Sequence, residues 1–224
     1  MRIDSQAWFR LTLAACLAWG GVAAGQVADF ETRPNGSTPT DDSPLGLTET
    51  YIVGAAVFTM GADETGDNIA DVPLIFEAAG DDGTDGFVRF EGQLGDTTQP
   101  GFESLLGDWF LRTEPSLEAP RLVIDYEFAV GAASGEIWDL DGRNNGTFEQ
   151  WRITGYDQSG AVVDQTESPA GIDTSEPFDG EPWPFLLLGD GIRKIVIEHI
   201  GTAVGVGVAF NNFRADSAIP GPQL

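Results

Sequence analysis

A period of two constrains this chain more than any other feature. Between Arg121 and Val130, Leu122, Ile124, Tyr126, Phe128 and Val130 fall on one face of an extended segment, and Asp125 and Glu127 fall on the other. A strand patterned in this way buries one face and wets the other. Similar short runs rich in Val, Ile, Phe, Trp and Thr recur at 27–31, 50–60, 72–78, 87–91, 108–113, 135–140, 147–156, 161–164, 183–188, 192–200 and 203–214. Turn clusters drawn from 29 glycines and 13 prolines separate them, and no sustained helical period intervenes. The pattern predicts an all-β fold, a two-sheet antiparallel β-sandwich, with a jelly roll favoured over a simple meander. Acidic loops are expected at 32–48, 61–71, 80–86, 92–107 and 167–182.

The N-terminal stretch carries Arg2 and Arg10 and then an apolar run from Leu11 to Ala24, too short for a stable bilayer span. Small residues at Val22-Ala23-Ala24-Gly25 fit signal-peptidase cleavage after Ala24 or Gly25. Residues 1–25 are therefore read as a signal peptide, 26–216 as a single sandwich domain and 217–224 as a short polar tail, which makes the mature chain secreted or cell-surface. An alternative stays open: Leu13-Ala14-Ala15-Cys16 matches a lipobox, with Cys16 as the lipidated residue. Cys16 is the one cysteine, so the mature domain must be stabilised by its core or by metal rather than by disulfides. A formal net charge of −25, with Lys194 the sole lysine, disfavours nucleic acid and anionic membranes as partners. Such a surface suits a saline medium or divalent cations, two readings that coexist.

Two places offer oxygen ligands for calcium. In Gly135-Glu136-Ile137-Trp138-Asp139-Leu140-Asp141-Gly142, continued alternation sets Trp138 and Leu140 on one face and Asp139 beside Asp141 on the other, at roughly 7 Å. A solvated strand end explains the same residues equally well. The second place is the junction of the first and last strands, where Asp29 and Glu31 are expected to approach Asn211, Asn212 and Asp216. The loops at 80–86 and 63–67 are also oxygen-rich, although acidic loops are more often merely hydrated. Among the tryptophans, Trp138 and Trp151 share faces with Leu140 and Ile153 and are assigned to the core. Trp109 and Trp183 are the candidates for stacking on a sugar, with core packing as the competing reading.

Enzyme chemistry has few parts to work with. His199 is the lone histidine and sits in an apolar strand, and triad, thiol and zinc-histidine chemistries need more than that. Paired carboxylates leave a glycoside hydrolase as an alternative, although alternation turns Glu136 away from Asp139.

At Gly135-Glu136-Ile137-Trp138-Asp139-Leu140-Asp141-Gly142, then Glu149-Gln150-Trp151-Arg152-Ile153 and Tyr156-Asp157-Gln158-Ser159-Gly160, the chain resembles exported bacterial jelly-roll proteins of the PEP-CTERM-associated type. Val208-Ala209-Phe210-Asn211-Asn212-Phe213 resembles their closing Phe-Asp-Asn-Phe strand. The resemblance implies a sandwich similar to carbohydrate-binding modules, with a structural calcium and no established activity. Asn211 stands where that pattern usually has aspartate, and the Pro-Glu-Pro sorting tail is absent. The expectation is a secreted, non-catalytic module for binding or surface interaction, with polysaccharide or another extracellular protein as partner. A purely structural extracellular protein is a further alternative.

Overall fold

The computed structural model describes residues 26–80, 87–88, 95–113, 121–141, 146–171, 180–204 and 209–217. The predicted signal, the acidic loop at 81–86, most of the predicted strand at 87–91, residues 142–145 and the tail from 218 lie outside the described residues. The elements run β1 (Ser43–Leu45), β2 (Tyr51–Val53), β3 (Ala56–Asp63), β4 (Leu74–Ala78), α1 (Glu103–Leu106), β5 (Trp109–Arg112), β6 (Arg121–Trp138), β7 (Trp151–Tyr156), β8 (Val162–Glu167), β9 (Pro182–His199) and β10 (Ala209–Ser217). Every pairing between them is antiparallel, and all ten strands belong to one sheet.

That sheet has two arms because β6 and β9 are long, pair along their whole length and bend together. Their register slips between Asp125 and Val130 and again before Ala132, opposite Gly189 and Gly191, whose positive φ of 149° and 98° only glycine adopts readily. Before the bend, β6 pairs with β3 on its far side and β9 pairs with β7, which gives an arm ordered β2-β3-β6-β9-β7-β8. Beyond it, β6 pairs with β10, and the second arm runs β1-β4-β5-β10-β6-β9. The arms face each other across one apolar layer. Phe213 of β10 meets Phe58 of β3 edge-on at 5.0 Å and stacks near Tyr126 at 6.3 Å. Each fully buried phenylalanine in that layer contributes about 1.5–3 kcal/mol by leaving water. The all-β, antiparallel expectation therefore holds, in the form of one folded sheet.

Several local expectations are corrected. The run 50–60 is a hairpin rather than one strand, because Gly54 takes a φ of 60° and turns the chain between β2 and β3. The two segments predicted at 121–130 and 135–140 are one strand, as are 183–188 and 192–200, since the glycines between them bend a strand without ending it. Phe128 leaves the core face and is 61% exposed, because the β6 irregularity interrupts the alternation there. Residues 43–45, read as loop, pair with β4. The segment 27–31 contributes a single bridge, Ala28 to Phe213, with N···O distances of 2.8 and 2.9 Å.

Outside the main layer a second, smaller core is built from Val88, Leu106, Phe110, Trp138 and Ala209, packed with Phe87 and Phe102. It places part of the excursion between β4 and β5 over the outer face of the second arm. Among the described residues no helix is long and apolar enough to cross a membrane.

Candidate functional site

Where the segment 27–31 meets β10, polar side chains gather in a knot. Phe30, at a φ of 60° that a bulky residue seldom adopts, turns its ring into the core against Tyr51 and Phe210. Glu31 follows and crosses to the loop after α1, where its Oε1 accepts from the backbone N–H of Asp108 at 2.8 Å and of Trp109 at 3.3 Å. Burial pushes the Glu31 carboxyl above its usual range, partly offset by those two amides. From β10 the buried Asn211 donates through Nδ2 to the carbonyls of Leu106 at 2.5 Å and Trp109 at 3.3 Å. Asn212, at a φ of 53°, donates to the Leu105 carbonyl and to Glu136 Oε2, both at 2.7 Å. Burial also raises Glu136, against the pull of Asn212.

Of the residues expected to share an ion here, the structure brings Glu31, Asn211 and Asn212 to the segment 105–109. Asp29 instead accepts from the backbone N–H of Glu31 at 3.2 Å, and Asp216 lies farther along β10, opposite Ala132. Asn211 turns donors rather than an oxygen toward the carbonyls. These side chains therefore satisfy the loop's backbone groups and do not form the oxygen-only cage that calcium takes. Among the described residues, no group of three or more acidic, histidine or cysteine side chains is placed to hold a metal.

The second expected site changes for a different reason. β6 ends at Trp138, and Asp139 takes a φ of 61°, which resets the alternation. Leu140 consequently joins Ile137 in the main core while Trp138 belongs to the smaller one, so Trp138 and Leu140 do not share a face. Asp139 Oδ1 accepts from the Gly180 backbone at 2.9 Å, and its own N–H donates to the Glu181 carbonyl at 3.2 Å. Asp141 is exposed, and its backbone pairs with that of Glu149. With β6 ended and Asp139 itself left-handed, the two carboxylates do not lie side by side on a strand.

Trp109 and Trp183 are half-buried, and both pack against the main core. They sit on β5 and β9, with β10 and β6 between them. Three strand spacings of about 4.8 Å put them about 14 Å apart, too far to sandwich one sugar. Trp183 lies near the start of β9, with Phe185 at 6.3 Å. His199 meets Trp151 edge-on at 5.2 Å, its Nε2 is buried without a partner, and burial lowers its pKa.

Sequence reasoning missed one constellation. Glu77 of β4 and Arg112 of β5 form an ion pair with both side chains about 95% buried, and Arg112 also reaches Asp42 at 2.5 Å and lies over the Phe87 ring at 4.8 Å. Burial pushes Glu77 up to about 7, against the pull of Arg112. The available signal was one acid in the apolar strand Leu74-Ile75-Phe76-Glu77-Ala78 and one base closing Trp109-Phe110-Leu111-Arg112.

The knot sits on an antiparallel all-β fold. No family model and no curated protein matches the chain. Among solved structures, tailspike protein 4 of bacteriophage CBA120 is similar at a TM-score of 0.35 and 14% identity, over 71% of this chain and 19% of that one. The lectin-binding domain of lectinolysin, solved as a His 62 mutant with Lewis b, gives 0.28 and 6% over 46% and 70% of the two chains. The K3 adhesin domain of Lys-gingipain from Porphyromonas gingivalis gives 0.30 and 10% over 49% and 72%. All three scores lie below 0.5, too remote to assign a function.

Proposed function

We propose that the chain is an exported, non-catalytic binding or surface-interaction module of jelly-roll type, with polysaccharide as its candidate ligand class. The supporting observation is how the reactive side chains are used. The carboxyl groups of Glu31, Asp63, Asp96 and Asp139 hold backbone amides, and the single histidine packs on Trp151. An acid/base pair poised over an open cleft would leave such groups facing solvent and substrate. A panel of immobilised polysaccharides tests the reading. Retention of the protein on at least one polymer, without release of reducing ends, is the expected outcome, and release of reducing ends would replace it with the hydrolase.

We propose with it the structural calcium that the resemblance implies, although the described side chains supply no ready cage for it. The measurement is thermal melting of the whole protein in calcium and then in chelator. A midpoint higher in calcium by several degrees supports a structural ion, since a ligand that binds only the folded state stabilises it by mass action. An unchanged midpoint removes it.

A further inference from the structure

We infer that a saccharide chain free of acidic groups binds along the β2–β3 hairpin, at the rim of the first arm. The inference rests on the polysaccharide-binding reading and moves the contact away from Trp109 and Trp183. Two concavities flank β2. One, of about 260 Å³, lies between the open edge of β2 and residues 27–36, with Val27, Asp29, Pro34, Thr50 and Ile52 in its wall. The other, of about 250 Å³, lies where β3 meets β6, walled by Thr50, Val57, Thr59, Asp125 and Glu127. Each has room for one sugar ring. Thr50 lines both, and Ile52 of the first is the cross-strand partner of Val57 in the second, so the two form one continuous path.

The chemistry of the path selects its occupant. Ile52 is 67% exposed and, with Val57, offers an aliphatic ridge to the C–H face of a pyranose. Asp125, Glu127 and the hydroxyls of Thr50 and Thr59 offer acceptors to its O–H groups, as a binding site for polyols requires. Two of the nearby cations are already engaged. Arg33 donates to Glu49 at 2.7 Å and to the Pro44 carbonyl at 2.8 Å, and Lys194 donates to the Asn68 carbonyl at 2.5 Å and lies 3.4 Å from Asp125. A sulfated or uronic polymer would bring its charge against Asp29, Asp125 and Glu127. Neutral or amino-bearing rings meet no such repulsion.

The test titrates the whole protein with a glucosamine hexamer, with laminarihexaose and with alginate, and repeats the titrations on Ile52→Asp, Glu127→Ala and Trp183→Ala. All three positions retain solvent access, and the thermal midpoint of each variant reports folding. The expected result is saturable binding of a non-acidic hexamer, at least tenfold weaker in the two hairpin variants and unchanged in Trp183→Ala. Preference for alginate, or hexamer binding that survives both hairpin substitutions, overturns the site. Binding lost only in Trp183→Ala overturns it while leaving the module reading intact, whereas no binding to any of the three removes both.

Discussion

Most of the acids that are well buried here serve as acceptors for the backbone. Asp63 shows the pattern: its Oδ1 takes the N–H of Gly66 at 2.6 Å and its Oδ2 that of Asn68 at 2.7 Å. Burial works against ionisation there, but these amides and Arg121 win, and the carboxyl is held below its usual range. Glu77 goes the other way, because burial outweighs Arg112 and lifts it to about 7. Its folded state then holds the proton more tightly than the unfolded chain, where the carboxyl titrates at 4.5. The contribution is full below pH 4.5 and is lost as pH rises through 7. Melting midpoints should therefore fall between about pH 5 and about pH 8, and less steeply in Glu77→Gln. Equal slopes in the two proteins would show that Glu77 does not titrate in this range. Arg112→Ala leaves Glu77 buried without its base and should cost about 3–5 kcal/mol in denaturant melts.

At the scale of the elements, one row of alternating charge crosses five strands of the first arm. Asp63, Arg121, Glu198, Arg152 and Glu167 are successive cross-strand partners on β3, β6, β9, β7 and β8. Arg121 and Glu198 are 2.8 Å apart, Arg152 and Glu167 2.9 Å. Each exposed pair is worth little by itself, but the row favours one register over its neighbours. The open edge of β9 is managed differently. The Leu188 N–H points away from β6 and donates to Asp164 Oδ2 at 2.7 Å, so by alternation Leu186 and Pro184 present their backbone on the same side. Proline has no N–H to offer there, and with Asp164 it silences the positions on both sides of Leu186. Pro184→Thr together with Asp164→Ala should promote self-association through this edge, seen as higher mass in light scattering. A strictly monomeric double variant would show that the edge is protected by something else.

Strand type and approximate place were legible because period two survives wherever the backbone stays regular, as in Arg121 to Tyr126. What the period could not report were the positions where the backbone departs from it. Asp139 and the β6 irregularity each shift parity, which moved Leu140 and Phe128 to unexpected faces. Glycines at 189 and 191 read as loop punctuation yet permit a bend within a strand. The meeting of the chain ends was legible from topology, whereas the roles of Glu31 and Asn211 were not. Whether an oxygen-rich side chain cages an ion or caps a backbone amide depends on which groups come to face it, and composition is silent on that.

For the molecule as a whole, a net charge of −25 on 224 residues sets the conditions under which it is stable. Raising salt from about 0.05 M to about 1 M shortens the screening length to about 3 Å and relieves repulsion among the surface carboxylates. The melting midpoint should rise by roughly 5 °C over that range. A fall would mean that attraction within the charged row outweighs the repulsion.

Because β6 and β9 each run through both arms, neither leaf of the sandwich owns its central strands. Heat cannot melt one leaf and spare the other without tearing a continuous hydrogen-bonded ribbon in two. Loss of structure should be all-or-none, with amides at 121–126 and 130–138 exchanging with deuterium through the same global opening.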